Sequence, residues 1–240
     1  MHQLSTPEAL FDRLLSADPG RPFVTYYDEA SGERSELSLK SLANWVAKTH
    51  FLLRDELGLG TGDTALIALP PHWISVPAVL GCLTAGLALA TEAGDLAAVA
   101  FTDPDRVPTD VPDAYVIAPD SAAVGLRDNV PDGAADYVTS VRPQPDAWGG
   151  VQLTAGPNDP CLPGSTRGEA LDQARARAAE LGAPEGARLL STRDWSGPQD
   201  WIDTLFVPLV TGGSVVFVRN APDDAVIERR VAQERATVRL

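Results

Sequence analysis

Lysine is nearly absent from this chain: Lys40 and Lys48 are the only two, and they fall in one stretch. Three histidines, two cysteines and one methionine in 240 residues leave few side chains that ligate metals or attack electrophiles. Cys82 and Cys161 are too few and too far apart for a disulfide framework or a zinc site. Cys82 lies in an apolar run and reads as a buried small hydrophobe. His2, His50 and His72 are isolated, with no metal-ligand spacing. No Gly-x-Ser-x-Gly elbow and no Ser/His/Asp arrangement is visible. Positive charge is scarce overall, because 19 Lys and Arg face 33 Asp and Glu, a formal charge of −14. That balance argues against nucleic acid, whose phosphates need clustered Lys and Arg, and against anionic membrane surfaces.

Unbroken hydrophobic runs are missing as well. Thr64 to Thr91 holds no Asp, Glu, Lys or Arg and is long enough to span a bilayer. Pro70-Pro71, Pro77, Gly81 and Gly86 chop it into strand, helix and strand, and its flanks, Asp63 and Glu92, are acidic. It reads as the buried centre of an α/β sheet. Met1 to Leu15 is polar, carries Glu8, Asp12 and Arg13, and contains no signal peptide. A reducing cytoplasm is the expected compartment. Met1 and the self-consistent halves of the chain point to a whole protein rather than a piece of one.

What is present suffices for a packed core: 44% of the residues are hydrophobic and 22% charged, so the chain is globular rather than disordered. Its length allows one large domain or two small ones. Thr6-Pro7-Glu8 starts a helix with a cap, a proline at N1 and an acid in the first turn. Leu10, Phe11, Leu14 and Leu15 form its apolar face, and Asp18-Pro19-Gly20 stops it. Phe23 to Tyr27 and Arg34 to Leu37 flank a turn at Glu29-Ala30-Ser31-Gly32 and predict a hairpin. Ser38 caps a helix over 38–57 whose Leu39, Leu42, Val46, Leu53 and Leu57 share a face, and Gly58 ends it. A strand over 64–69, a helix over 73–85 and a strand over 87–91 follow. Later, 97–101 and 114–118 read as strands, 134–141 as a helix and 151–154 as a strand.

The second half echoes the first. A helix over 168–181 ends at Gly182, and Gly186-Ala187 precedes a strand over 188–191, as Gly58 and Gly62 do earlier. A helix near 199–209 ends at Gly212-Gly213 before a strand over 214–218, which parallels 87–91. A final helix over 223–234 leads to 236–240, the start of another strand. The pattern predicts an α/β protein of two similar layered lobes, with mostly parallel sheets flanked by helices. The first lobe is 1–142, the Pro/Gly-rich 143–150 is the connector, and the second lobe is 151–240.

Three stretches resemble the adenylate-forming superfamily of acyl-CoA synthetases, luciferases and peptide-synthetase adenylation domains. They are Leu37-Ser38-Leu39-Lys40-Ser41-Leu42, Gly62-Asp63-Thr64-Ala65-Leu66-Ile67 and Leu83-Thr84-Ala85-Gly86. The resemblance is good from about Phe11 to Thr91 and moderate beyond. It implies the fold of that family's N-terminal region, and it speaks to scaffold more than to chemistry.

The family's Ser-Gly-Thr-Thr-Gly-x-Pro-Lys-Gly loop closes over ATP phosphates through backbone N–H groups, hydroxyls and a lysine. The corresponding place here is Pro163-Gly164-Ser165-Thr166-Arg167-Gly168-Glu169-Ala170. Gly164, Ser165 and Thr166 fit, and with Arg167 they are the candidate anion or nucleotide site. Arg167 replaces the second glycine, Glu169 the proline and Ala170 the lysine. The same residues also fit a capping box, Thr166-x-x-Glu169, opening the next helix. Neither lysine stands where the family's phosphate-loop or catalytic lysine would, and the later family motifs and C-terminal domain are missing. ATP or AMP and magnesium are therefore cofactors only if the altered loop still works.

Other candidates are fewer. His72-Trp73 follows Pro70-Pro71, where a histidine reads as a helix cap. Asp194, Trp195 and Trp201 fall where the family lines its acyl pocket, and either bound a small-molecule cleft or pack the core. The expected function is a truncated relative that does not adenylate and binds a metabolite or a protein partner. The alternatives are half of a split acyl-adenylating enzyme and a structural homodimer subunit.

Overall fold

The computed structural model describes residues 5–92, 97–118, 124–126 and 129–240; His2 lies outside them. Helix α1 (Pro7–Ala17) is capped as its sequence predicts, with Thr6 Oγ1 accepting from Ala9 N at 3.3 Å and Pro7 in the first turn. Strands β1 (Pro22–Asp28) and β2 (Glu33–Ser38) form the expected antiparallel hairpin. Ser38 Oγ accepts from Ser41 N at 3.2 Å and opens α2 (Leu39–Phe51). A π-helical turn, Leu52–Glu56, extends α2 to nearly its predicted end. Strand β3 (Thr64–Ala68), the wholly buried α3 (Ser75–Ala85) and β4 (Ala88–Ala90) follow.

Beyond them come β5 (Ala97–Thr102) and β6 (Asp113–Val116). The predicted helix over 134–141 divides into β7 (Ala135–Asp136) and α4 (Tyr137–Val141). The cause is Asp136, whose carboxylate accepts from Thr139 N and Leu126 N at 2.6 and 2.5 Å, which makes it a cap rather than an interior residue. Residues 151–154, predicted as a strand, have no regular structure.

Strands β8 (Pro160–Leu162) and β9 (Ser165–Thr166) form a small antiparallel hairpin ahead of α5 (Arg167–Glu180). Strand β10 (Arg188–Ser191) is joined to β11 (Ser214–Arg219) by α6 (Pro198–Trp201), a second π-helical turn (Ile202–Phe206) and α7 (Val207–Thr211). Helix α8 (Asp224–Glu234) and β12 (Val238–Arg239) complete the chain.

Two compact units result, one of residues 1–42 with 168–240 and the other of 43–167. The sequence pattern set the division at 143–150, whereas the chain divides at 42/43 and 167/168. The physical reason is the sheet of the first unit, ordered β12-β10-β11-β1-β2. Its central pair is β1 parallel to β11, with Val24 opposite Val215 and Tyr26 opposite Phe217. Both strands are apolar almost throughout, so each needs cover on both faces, and the N-terminal hairpin finds it in the C-terminal half. The second unit carries an all-parallel sheet ordered β4-β3-β5-β6-β7.

The echo between halves is geometric at two junctions. Gly86 ends α3 at φ 98° and Gly212 ends α7 at φ 64°, each two residues before a parallel strand. Gly213 serves a different purpose. A Cβ there would lie 1.9 Å from Ala187 O and 2.9 Å from Ala187 C, both backbone atoms at the start of β10. Gly213→Ala is expected to cost about 3 kcal/mol or more in urea unfolding, because strand β10 itself has to move. A loss under about 1 kcal/mol would contradict this close approach.

Candidate functional site

In the first unit the carboxyl end of β10 is the natural ligand position. The connection to β11 leaves on one side of β10 and the path through α8 returns to β12 on the other, and such reversals open a crevice in α/β sheets. Residues 192–197 form the loop there, and the π-helical turn fixes it. Arg193 Nη2 donates to Asp203 Oδ2 at 2.6 Å, and Trp195 Nε1 donates to Thr204 Oγ1 at 3.0 Å. Asp200 Oδ2 accepts from Ser196 N, Ser196 Oγ and Gly197 N at 2.8, 3.0 and 3.1 Å. Asp200 near the end of α6 and Asp203 and Thr204 in the widened turn together hold one loop, a grouping that 3.6-residue periodicity does not anticipate.

Asp203 is the centre of this arrangement and is fully buried. Arg177 Nε and Nη2 grip its two oxygens at 2.9 and 3.3 Å, and Gln199 Nε2 adds a bond of 2.8 Å. Burial alone would raise its pKa; the bonds from Arg177, Arg193 and Gln199 outweigh that and hold it below the usual carboxylate range. No sequence signal marked Asp203. Arg177 is 26 residues away on α5, so the pair exists only in the folded chain.

The predicted cleft residues part company. Trp195 is half-buried and meets Phe217 edge to face at 5.9 Å. Asp194 is largely exposed and pairs with Arg219 Nη2 at 2.5 Å. Trp201 is 1% exposed, so it belongs to the core of the unit; its Nε1 has no hydrogen-bond partner. The loop thus brings Asp194 and Trp195 together at the surface and leaves Trp201 beneath.

The predicted phosphate-loop residues form the β8–β9 hairpin of the second unit. Gly164 takes the left-handed turn position at φ 74°, while Ser165 and Thr166 lie opposite Leu162 and Pro160. Arg167 is fully buried. Its guanidinium donates to the carbonyls of Leu83 at 3.2 Å, Leu87 at 3.0 Å and Pro160. Those carbonyls lie at the α3–β4 junction and on β8, so the cation ties the hairpin to the sheet.

His72, expected as a cap, accepts from Ile74 N at 3.3 Å through Nδ1, just before α3. Cys82 and Cys161 are buried and in no disulfide, and burial pushes the Cys82 thiol up. Among the described residues no group of three or more His, Cys, Asp or Glu is placed to hold a metal, and no helix is long and apolar enough to cross a membrane.

The buried titratable groups predict acid lability. Burial lowers the pKa of His50, so folding favours its neutral form. That contribution is complete above about pH 6.5 and is lost as the pH falls below it. Asp203 and Glu234 are held low, so their contributions are complete above the free-carboxylate range and are lost at still lower pH. Urea midpoints are expected to decline in two stages on acidification, and His50→Gln should remove the first. Stability that rises from pH 7 to 5 would contradict this.

No family model matches the chain. A TIGR03089 family protein of Mycobacterium tuberculosis is 38% identical over 238 residues, 95% of each chain. Among solved structures, acetoacetyl-CoA synthetase from Streptomyces lividans matches with TM-score 0.76 and 19% identity, over 98% of this chain and 42% of that one. The anthranilate CoA ligase AuaEII, in complex with anthranoyl-AMP, gives TM-score 0.72 and 14% identity over 99% of this chain and 50% of its own. Fatty acid AMP ligase from Legionella pneumophila gives 0.70 and 12%, over 99% and 44%. The chain spans half or less of these ligases. At such identities the likeness fixes the fold, that of part of an adenylate-forming enzyme, which is the resemblance carried by Leu37 to Ala90.

Proposed function

This chain belongs to the TIGR03089 protein family, and from that premise we propose that it is a non-adenylating relative of the acyl-CoA and AMP ligases that binds a small molecule. The observation that supports this most is the β8–β9 hairpin. A phosphate loop needs backbone N–H groups, hydroxyls and a cation turned toward an anion. Here Ser165 and Thr166 sit in a paired strand, and Arg167 gives donors to three main-chain carbonyls. Lys40 and Lys48 stand elsewhere, on α2. The ligand site in this reading is the loop after β10, with Trp195 as its aromatic wall and Asp194 and Arg193 at its rim. The compartment proposed is the cytoplasm.

The test is an amide-shift titration with Mg·ATP. The expected result is no shift in the amides of residues 160–167, while shifts centred there would overturn the reading. A second reading, half of a split adenylating enzyme, draws on the 42–50% coverage of the solved ligases. It requires that a second chain restore acid-dependent ATP–pyrophosphate exchange.

A further inference from the structure

We propose that the second unit carries a separate phosphate-ester site, built on Arg54 and the glycine-rich turn after the first π-helical segment. An open, shallow groove of about 460 Å³ lies there, lined by Arg54, Gly60, Thr61, Asp63 and Thr154 among others. That volume falls within the range of small-molecule sites. It lies beside Asp63, immediately before β3, and so at the opposite end of the strand from His72 and Ile74.

Arg54 is half-buried, yet its guanidinium makes no hydrogen bond or ion pair with any described residue. Arg177, Arg188 and Arg193, by contrast, are each paired with a carboxylate. A half-buried guanidinium whose donors are open to solvent suits an oxyanion, which it can grip through two parallel bonds. The position is set by sequence. A Cβ on Gly60 would lie 2.5 Å from Arg54 Nη1, so only glycine lets the guanidinium lie across the turn. The π-helical winding of Leu52–Glu56 sets where Arg54 leaves the helix.

The remaining groups favour an ester over a bare ion. Asp63 Oδ2 accepts from Gly60 N at 2.8 Å, leaving its other oxygen to accept from a hydroxyl. Thr61 Oγ1 and Thr154 Oγ1 lie 3.4 Å apart at the rim and both donate and accept. Of the two acids that follow Arg54 along the turn, Asp55 is exposed and Glu56 receives Gln144 Nε2. At physiological salt the rest of the acidic surface is screened beyond about 8 Å. A phosphate on Arg54 with a hydroxyl on Asp63 describes a hydroxylated phosphate monoester of the sugar-phosphate class.

The experiment is an amide-shift titration of the whole protein with ribose 5-phosphate, inorganic phosphate and ribose in parallel. Saturable shifts at residues 58–63 are expected with ribose 5-phosphate, weaker ones with inorganic phosphate and none with ribose. Arg54→Gln should lower the affinity at least tenfold, and Arg54→Lys should restore part of it. Gly60→Ala should weaken binding by displacing the guanidinium. Equal affinity for the ester and inorganic phosphate would overturn the role given to Asp63. An absence of saturable shifts, or affinity unchanged in Arg54→Gln, would overturn the site. Because the shifts fall at 58–63 rather than 160–167, this outcome is independent of the one that tests the missing nucleotide loop.

Discussion

Asp203→Ala is expected to destabilise the protein by about 3 kcal/mol in urea unfolding and to free the loop after β10. The carboxylate is fully buried and receives Arg177, Arg193 and Gln199. Removing it leaves two guanidinium groups facing a hole. Arg177 and Arg193 are 29% and 41% exposed and recover some water, so the cost lies at the lower end for a broken buried pair. The variant should also alter the fluorescence of Trp195, whose indole is held by the neighbouring Thr204. Asp203→Asn keeps an acceptor and should cost about half as much. An alanine variant as stable as the parent would mean that the π-helical turn does not anchor the loop.

Arg167→Met should be at least as damaging, at roughly 3 to 5 kcal/mol. Methionine fills much of the volume but donates nothing, so the carbonyls of Leu87 and Pro160 lose this donor, while Leu83 O keeps Gly86 N at 3.0 Å. Each unsatisfied buried acceptor costs about 1 to 3 kcal/mol. The result separates two roles for one residue. A structural cation predicts a large loss of stability. A ligand-binding cation predicts normal stability with lost anion affinity, and that outcome would restore the phosphate-loop reading.

Local signals were the legible part of this chain. Thr6, Ser38, Gly86 and Gly212 mark helix ends by side-chain chemistry or left-handed backbone, and each stands where its type predicts. The apolar stretch from Thr64 to Ala90 gave strand, helix and strand because its prolines and glycines leave no other division. Long-range pairing was illegible. Nothing in Phe23 to Tyr27 names Val215 to Val218 as its neighbour, so the lobe boundary fell in the wrong kind of place, at a flexible composition rather than at the sheet. The site was hidden for a similar reason. Trp195 stood out by its side chain, whereas Asp203 and Arg177 acquire meaning from contact alone. Arg167 drew attention as a candidate anion-binding cation in a loop, and the fold uses it as a buried donor to main-chain carbonyls.

The most direct measurement is ATP–pyrophosphate exchange by the pure protein, run against fatty, anthranilic and acetoacetic acids. These acids match the named substrates of the ligases whose fold it shares. The hairpin at 160–166 and the buried Arg167 predict no exchange above the protein-free rate with any of them. Acid-dependent exchange by this chain alone would contradict the account, and would mean that adenylation proceeds without the loop and lysine on which the argument rests.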